Sequence, residues 1–171
     1  MYFNCQYLSP VGSIDLLFAE DALVGLWLGE KRFMQEAIQG LVMSEANSQC
    51  LILKETKNWL DAYFAGHNPS LNHLTLKPLH ATAFRYMVWQ HLLEIPYGEV
   101  ETYGHIAKQI AKDRGQANMS AQAVGGAVGH NPISLIIPCH RVLAQNGALT
   151  GYGGGIKNKA WLLNHEKLTL H

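Results

Sequence analysis

The run Asn131-Pro132-Ile133-Ser134-Leu135-Ile136-Ile137-Pro138-Cys139-His140-Arg141-Val142 ends an apolar stretch at a proline and presents a cysteine followed by two basic side chains. A buried cysteine is ordinarily an inert small hydrophobe. A nucleophilic one acts as the thiolate, and a free thiol, with a pKa of about 8.5, is only a few per cent ionised at neutral pH. Reactivity therefore needs a base or a positive field nearby, and His140 and Arg141 are of the right types. Read as an extended strand, the run sends adjacent side chains to opposite sides, so His140 is expected to reach the sulfur through a bridging water. Near the C-terminus, Glu166 in Asn164-His165-Glu166 could polarise a distant histidine, surface solvation being the plainer alternative. Beyond the cysteine, Gly147, Gly151, Gly153, Gly154 and Gly155 surround Tyr152, a loop whose backbone can approach a flat ligand closely. A phosphate cradle is the weaker reading, because no Gly-Lys-Ser/Thr closes the run.

The elements that must position these residues fall into two groups. Residues 13–19 and 23–28 are short apolar runs separated by Glu20-Asp21, a hairpin pattern. From 48 to 65, Ile52, Trp59, Leu60, Tyr63 and Phe64 recur at helical spacing, with Gly66 as the stop. Residues 66–80, with Pro69 and Pro78, break the pattern and suit a passage between domains. Helical periodicity then dominates. Thr82 caps a helix bearing Phe84, Val88, Leu92 and Ile95, and Pro96-Tyr97-Gly98 ends it. Thr102 opens a second with Tyr103, Ile106, Ala107 and Ile110, Ser120 opens a third through residue 129, and a last one covers 159–167. The second and third resemble a helix-turn-helix. Each interior glycine of the third costs about 1 kcal/mol against alanine, so its small residues must serve a close approach, either to a packed neighbour or to a nucleic-acid backbone.

Composition narrows the class. With 48% hydrophobic and 15% charged residues in 171, the chain is an ordinary folded protein rather than a disordered one. The N-terminus has no basic stretch before an apolar core, and the longest apolar runs fall far short of a membrane span. A soluble, cytoplasmic protein is expected. Cys5, Cys50 and Cys139 are odd in number with no C-x-x-C pair, so reduced thiols are expected rather than a disulfide framework or a zinc knuckle. The net charge of zero hides an asymmetry: residues 1–80 carry −3 and residues 81–171 carry +3. A modest positive excess suits a surface that meets phosphates, as would chance variation on a solvated face.

Ile-Pro-Cys-His-Arg-Val at 137–142 resembles the active-site signature of the O6-alkylguanine-DNA alkyltransferases. The likeness continues in order and spacing. It takes in Pro96-Tyr97-Gly98-Glu99-Val100 with Thr102-Tyr103, Ala-Val-Gly-Gly-Ala at 123–127, Asn131-Pro132, Gly151-Tyr152-Gly153-Gly154 and Trp161-Leu162-Leu163-Asn164-His165-Glu166, covering residues 82–166. Ser9-Pro10-Val11-Gly12 and the strands after it resemble the family's N-terminal domain more loosely. The resemblance implies an α+β protein in two parts. Residues 1–79 would form a ribonuclease-like α/β domain with a small antiparallel sheet, and residues 80–171 a winged helix-turn-helix alkyltransferase domain. It also implies DNA repair by direct, irreversible, single-turnover transfer of a methyl or larger alkyl group from O6-alkylguanine in double-stranded DNA to the Cys139 thiol. O4-alkylthymine is left open as a second substrate. No cofactor is expected, since the damaged DNA is the donor, and a monomer is expected.

Carried over residue by residue, the resemblance makes Cys139 the acceptor, with His140, a water and Glu166 drawing off its proton. Tyr103 would help rotate the target nucleotide and donate a hydrogen bond to the departing guanine. Asn131 would brace the turn beside the thiol, and Tyr152, Gly153 and Gly154 would wall the base pocket. Thr102, Gln122, Val128 and Arg141 are assigned to the DNA side, Arg141 also holding the cysteine loop against the helix-turn-helix. A thiolate cannot reach a base inside a duplex, so the nucleotide must be flipped at a cost of a few kcal/mol, with the small-residue helix in the minor groove as the lever. Two positions depart from the pattern. Gln122 stands where most members carry an arginine that fills the gap left by the flipped base, and it brings no charge and stacks less well. Cys5 and Cys50 do not reproduce the zinc ligands of some relatives, so no metal is expected. Three rival readings remain: a non-catalytic alkyl-lesion binder, which would ordinarily lack the cysteine; a winged-helix alkylation sensor, for which no effector element is visible; and a thiol hydrolase, for which no oxyanion-hole signature is visible.

Overall fold

In the computed structural model, which describes residues 1–29, 31–45 and 47–168, the chain opens on three antiparallel strands, β1 (Tyr2–Ser9), β2 (Gly12–Ala19) and β3 (Ala22–Leu28), adjacent in that order. β2 and β3 are the expected hairpin. β1 is an additional edge strand on which Phe3, Cys5 and Tyr7 turn toward the core while Asn4, Gln6 and Leu8 face solvent, the period-two alternation of a half-buried strand. β3 is buried along its whole length. A bulge accounts for its two apolar faces: Leu17 pairs with Gly25 and Phe18 with Leu23, so β3 holds one residue more than β2 there. Leu23, Leu26 and Leu28 then join Ile14, Leu16 and Phe18 in the main core, whereas Ala22, Val24 and Trp27 join Leu17 and Met34 on the other side. Met34 belongs to α1 (Lys31–Ile38), a short helix that the periodicity did not suggest. The Trp27 ring lies over Gly25, where a Cβ would come within 2.0 Å of it.

α2 (Leu51–Phe64) lays Ile52, Leu53, Leu60 and Tyr63 into the main core and stops at Gly66, whose φ of 96° is left-handed. α3 (Ala83–Leu93) begins where Thr82 accepts a hydrogen bond from Arg85 N at 3.1 Å. α4 (Tyr103–Asp113) is capped by Thr102 and α5 (Ala121–Gly129) by Ser120, which accepts from Gln122 N and Ala123 N at 3.1 and 3.2 Å. α4 and α5 pack together as the helix-turn-helix. α3 supports α5 through Trp89 Nε1, which donates to Ala127 O at 2.9 Å. A two-residue parallel pair, β4 (Glu101–Thr102) with β5 (Val142–Leu143), flanks them, and α6 (Ile156–Leu168) closes the chain, starting three residues before the expected position. Val88, Leu92, Ile106, Ile110, Val124 and Leu162 are buried in the same cluster as the inner face of the sheet, so one core runs through both halves.

The free edge of β3 joins those halves. The connecting segment runs along its first part, with Leu23 N donating to Thr75 O at 2.9 Å and Leu79 N to Val24 O at 3.1 Å. Farther along, Leu26 N donates to Pro132 O at 2.8 Å, and Leu26 O accepts from Ser134 N at 3.0 Å. An open strand edge is thereby satisfied, and the segment leading to Cys139 is hung from the sheet.

Gly126 sits mid-helix in α5, exposed, and a Cβ there would meet nothing within 4 Å. Gly126→Ala is expected to raise the unfolding free energy by about 0.5–1 kcal/mol by restoring helix propensity, measured by urea denaturation of the free protein. A loss of stability would count against an open position.

Candidate active site

Residues 133–137 are not the strand that their apolar run suggests. They fold into successive tight turns, with Ile136 N donating to Ser134 O at 2.8 Å, Ile137 N to Ile133 O at 3.1 Å and Cys139 N to Ile137 O at 2.8 Å, and with Leu135 at a φ of 71°. Pro132 and Pro138 bracket the segment and lack the N–H groups that a strand ladder uses. The Asn131 side chain then closes the loop: Nδ2 donates to Ile137 O at 2.9 Å and Oδ1 accepts from Ile133 N at 3.0 Å. Bulky residues rarely adopt a left-handed backbone, so Leu135 is held there by these bonds and by its burial at 1% exposure. As a result Cys139, His140 and Arg141 form one 3-10 turn rather than an extended strand. Consecutive side chains are about 120° apart on such a turn, which lets the thiol and the imidazole project in different directions.

His140 projects onto Glu166. Its Nε2 lies 2.6 Å from Glu166 Oε1, and both side chains are essentially without solvent contact. The same carboxylate accepts from Arg141 Nε and Nη2 at 2.9 Å each, from the Tyr63 hydroxyl at 2.9 Å and from Gly98 N at 3.4 Å. Burial alone would raise the Glu166 pKa. The His140 bond and the Arg141 charge outweigh it and hold the carboxyl at about 2. For His140 burial is the leading influence and, with the nearby Arg141 and Lys159 charges, lowers the pKa against the pull of Glu166. The imidazole is thus neutral at neutral pH, with Nε2–H directed at the carboxylate and the Nδ1 lone pair turned elsewhere.

Cys139 is 6% exposed, and burial pushes its thiol up. Hydrogen bonds from Asn131 and Ser134 and the charge of Lys159 act in the opposite direction. Lys159 is itself buried, at 1% exposure, and its Nζ donates to Val142 O at 2.5 Å and Thr150 O at 3.1 Å. Carbonyl oxygens solvate a cation without neutralising it. Burial lowers the Lys159 pKa and Cys139 raises it. A cavity of about 290 Å³ opens before the thiol, walled by Val128, Asn131, Tyr152, Gly153 and Gly154, with Trp27 contributed by β3. Gly154 sits in a tight place: a Cβ there would meet Leu28 Cβ at 3.1 Å and the Tyr152 ring at 3.2 Å.

Tyr103, the first residue of α4, is half-buried at the edge of this region, with its hydroxyl 3.5 Å from Thr150 O and its ring alongside Gly125 of α5. Thr102 caps α4 and is half-buried, while Gln122 lies exposed on the first turn of α5. Two residues assigned to the DNA side lie elsewhere. Arg141 is buried at 9% exposure, its Nη1 donating to Ile95 O at 2.8 Å and its other nitrogens to Glu166, so its guanidinium is turned inward. Val128 is 5% exposed and faces the cavity. The sequence reading did not single out Tyr63, Ser134 or Lys159 as site residues. Lys159 left a trace, since Lys159, Leu162 and Glu166 share one buried stripe of α6; Tyr63 left none, lying 103 residues from its partner. Among the described residues, no three His, Cys, Asp or Glu side chains are grouped to hold a metal ion.

Fold and site define a two-part protein in which a helix-turn-helix fronts a cavity lined by a buried thiol, with a neutral imidazole next to it in the chain and a buried cation acting on it. Residues 83–168 match the family described as 6-O-methylguanine DNA methyltransferase, DNA binding domain, and residues 5–78 match its ribonuclease-like domain. A methylated-DNA–protein-cysteine methyltransferase of Haemophilus influenzae is 36% identical over 98% of this chain and 87% of its own. Another, of Methanosarcina acetivorans, is 41% identical over 92% and 94%. The crystal structure of Mycobacterium tuberculosis OGT in complex with DNA aligns with a TM-score of 0.79 and 38% identity, covering 98% of this chain and 93% of that one. The chain belongs to the 6-O-methylguanine DNA methyltransferase family.

A carboxyl held at about 2 in the folded state, against roughly 4.3 unfolded, contributes stability that is fully present above the unfolded value and is lost as pH falls through the folded one. Glu166→Gln is expected to lower stability at pH 7 by on the order of 3 kcal/mol, because it leaves Arg141 buried without its countercharge. It should also flatten the loss of stability between about pH 4.5 and 2. Urea unfolding at several pH values reads both effects, and equal midpoints for the two proteins at pH 7 would refute the first.

Proposed function

We propose that this chain repairs alkylated DNA by moving the alkyl group of O6-alkylguanine in a duplex onto the sulfur of Cys139. The observation that carries the reading is the arrangement around the thiol: a neutral His140 anchored on Glu166, an un-neutralised Lys159, and a cavity beside the helix-turn-helix. His140 Nδ1 takes the thiol proton, and Lys159 stabilises the sulfur anion as it forms. The thiolate attacks the alkyl carbon in line with the bond to O6. As the S–C bond forms, the C–O bond breaks and guanine leaves with the electron pair. Tyr103 donates a hydrogen bond to the departing guanine anion, which takes up one proton from water as the His140 imidazolium releases one. The product is a thioether, which lacks the carbonyl that makes an acyl-enzyme hydrolysable, so one molecule repairs one lesion. No cofactor enters the balance.

The positions around this centre take supporting roles. Asn131 fixes the turn that carries the thiol, and Tyr152, Gly153 and Gly154 wall the pocket for the flipped base. Val128 closes the opposite wall, and Arg141 locks the cysteine turn to α6. Thr102 and Gln122 meet DNA, with Gln122 occupying the space left in the stack. We place the division between the ribonuclease-like and DNA-binding parts at residues 79 and 80, and we expect a monomer acting in the cytoplasm. Support for that division comes from the prolines of the connecting segment.

Incubation with a duplex oligonucleotide bearing O6-methylguanine should add one methyl group per protein molecule, mapped by mass spectrometry to the Cys139 peptide and absent from Cys139→Ala. Lesion binding with no mass gain would instead support the non-catalytic damage binder. Gln122→Ala should weaken duplex affinity and slow transfer several-fold, since a glutamine can hydrogen-bond the orphaned partner base and alanine cannot. Unchanged affinity and unchanged transfer rate together would remove Gln122 from the flipping step.

A further inference from the structure

His140 Nδ1 receives the thiol proton in the transfer described above, but the Tyr152 hydroxyl has no part in it. Among the described residues, the buried side-chain nitrogen and oxygen atoms without a hydrogen-bond partner are His140 Nδ1 and the Tyr152 hydroxyl. Leaving a buried hydroxyl unpaired costs about 1–3 kcal/mol, and a phenylalanine would wall the cavity equally well without that cost. Orphaned polar groups in a folded interior call for a functional explanation. Both atoms belong to residues that adjoin the same thiol: His140 follows Cys139 in the 3-10 turn, and Tyr152 lines the cavity with Cys139. The Tyr152 phenol is coupled electrostatically to both Cys139 and Glu166, secondary to its burial. The phenol and the thiol thus share one cavity wall, next to the turn that carries His140. Gly154 lies close against the ring, where an added Cβ would come within 3.2 Å of it.

We propose that the Tyr152 hydroxyl is a positioning group for proton removal, holding together with His140 Nδ1 the water that carries the Cys139 proton to the imidazole. Donating to Nδ1 and to the phenolic oxygen, this water keeps a lone pair for the S–H. The S–H bond breaks as the water gains that proton and passes another to Nδ1, while Nε2–H stays on Glu166; no atom is left over and no oxidant is needed. Lacking the hydroxyl, the water loses one of its three contacts, and the proton leaves the thiol less readily. Among the described residues, the charged and titratable groups around Cys139 include Lys159 and Glu166 from α6, His140 and Arg141 from its own turn, Tyr103 from α4 and Tyr152 itself, and the cavity it opens on is also lined by Glu36, His80, Arg85 and His130. Replacing Tyr152 by Phe alters only one of them.

The proposal deepens the transfer reading but is tested apart from it. Iodoacetamide labelling of Cys139 in DNA-free protein, followed on its own peptide so that Cys5 and Cys50 do not contribute, gives a rate that rises with pH to a plateau. In Tyr152→Phe the midpoint is expected to move up by about one pH unit with the plateau kept. The rate near neutral pH, and methyl transfer from O6-methylguanine duplex, should then fall about tenfold. Thermal unfolding should be unchanged or slightly raised. An unmoved midpoint overturns the proposal, even if transfer slows, because the tyrosine would then be a wall and nothing more. A moved midpoint with no methyl transfer by the unsubstituted protein supports the Tyr152 role and sinks the repair reading instead.

Discussion

The carboxylate of Glu166 is the constraint on which the rest of the structure depends. Taking a carboxylate out of water costs several kcal/mol unless geometry and hydrogen bonds compensate. Here the compensation comes from four residues at three places in the chain. Arg141 supplies two parallel charge-assisted bonds, His140 a third, Tyr63 of α2 a fourth, and Gly98 of the turn after α3 a backbone N–H. Such fork-on-fork pairing fixes orientation as well as energy. One anion therefore ties the last helix, the cysteine turn, the first half of the chain and the entrance to the helix-turn-helix into one arrangement. Arg141 adds a further tie, to Ile95 O, and lies 5.6 Å from the Tyr97 ring centroid.

The sheet does comparable work on the other side of the thiol. Burying β3 on both faces leaves its free edge as the place where backbone groups still need partners. The connecting segment takes one stretch of that edge and Pro132–Ser134 the next. The cysteine loop is thus held at its start by strand-like bonds to Leu26 and at its end by the carboxylate. Between these anchors it must turn sharply, which explains both the left-handed backbone at Leu135 and the Asn131 side chain that bonds each end of the turn.

Local runs made much of this legible in the sequence. The Thr82, Thr102 and Ser120 caps each precede an apolar helical pattern, and each caps a helix in the structure. Cys139-His140-Arg141 could be read because nucleophile, base and cation are consecutive. What escaped was set by contacts distant in sequence. Ile133 to Ile137 have the hydrophobicity of a strand, and only the flanking prolines and the Asn131 bonds make them turns. Arg141 looks like a phosphate ligand by residue type, and it is turned inward by Glu166, 25 residues away. Tyr63 reads as one more core aromatic on an amphipathic helix, since nothing near it indicates a polar partner. β1 alternates in a recognisable way, but an edge strand with an exposed Leu8 gives a weak pattern.

The two buried cations divide their labour by the charge of their partners. Arg141 is matched by a full carboxylate, so its field at the thiol is largely cancelled and its contribution is to hold the turn. Lys159 is solvated by carbonyl oxygens alone among its described hydrogen bonds, so its charge remains to act on the sulfur. Desolvation meanwhile keeps the thiol protonated in the resting protein, and an undissociated thiol is a poor nucleophile. The ammonium, the neutral imidazole and the low-dielectric cavity reach their full effect only when the proton leaves and negative charge appears on the sulfur. Charge stabilisation that is stronger in the transition state than in the ground state is what accelerates a chemical step, and on the proposed mechanism the unmatched lysine supplies it while the partnered arginine holds the turn.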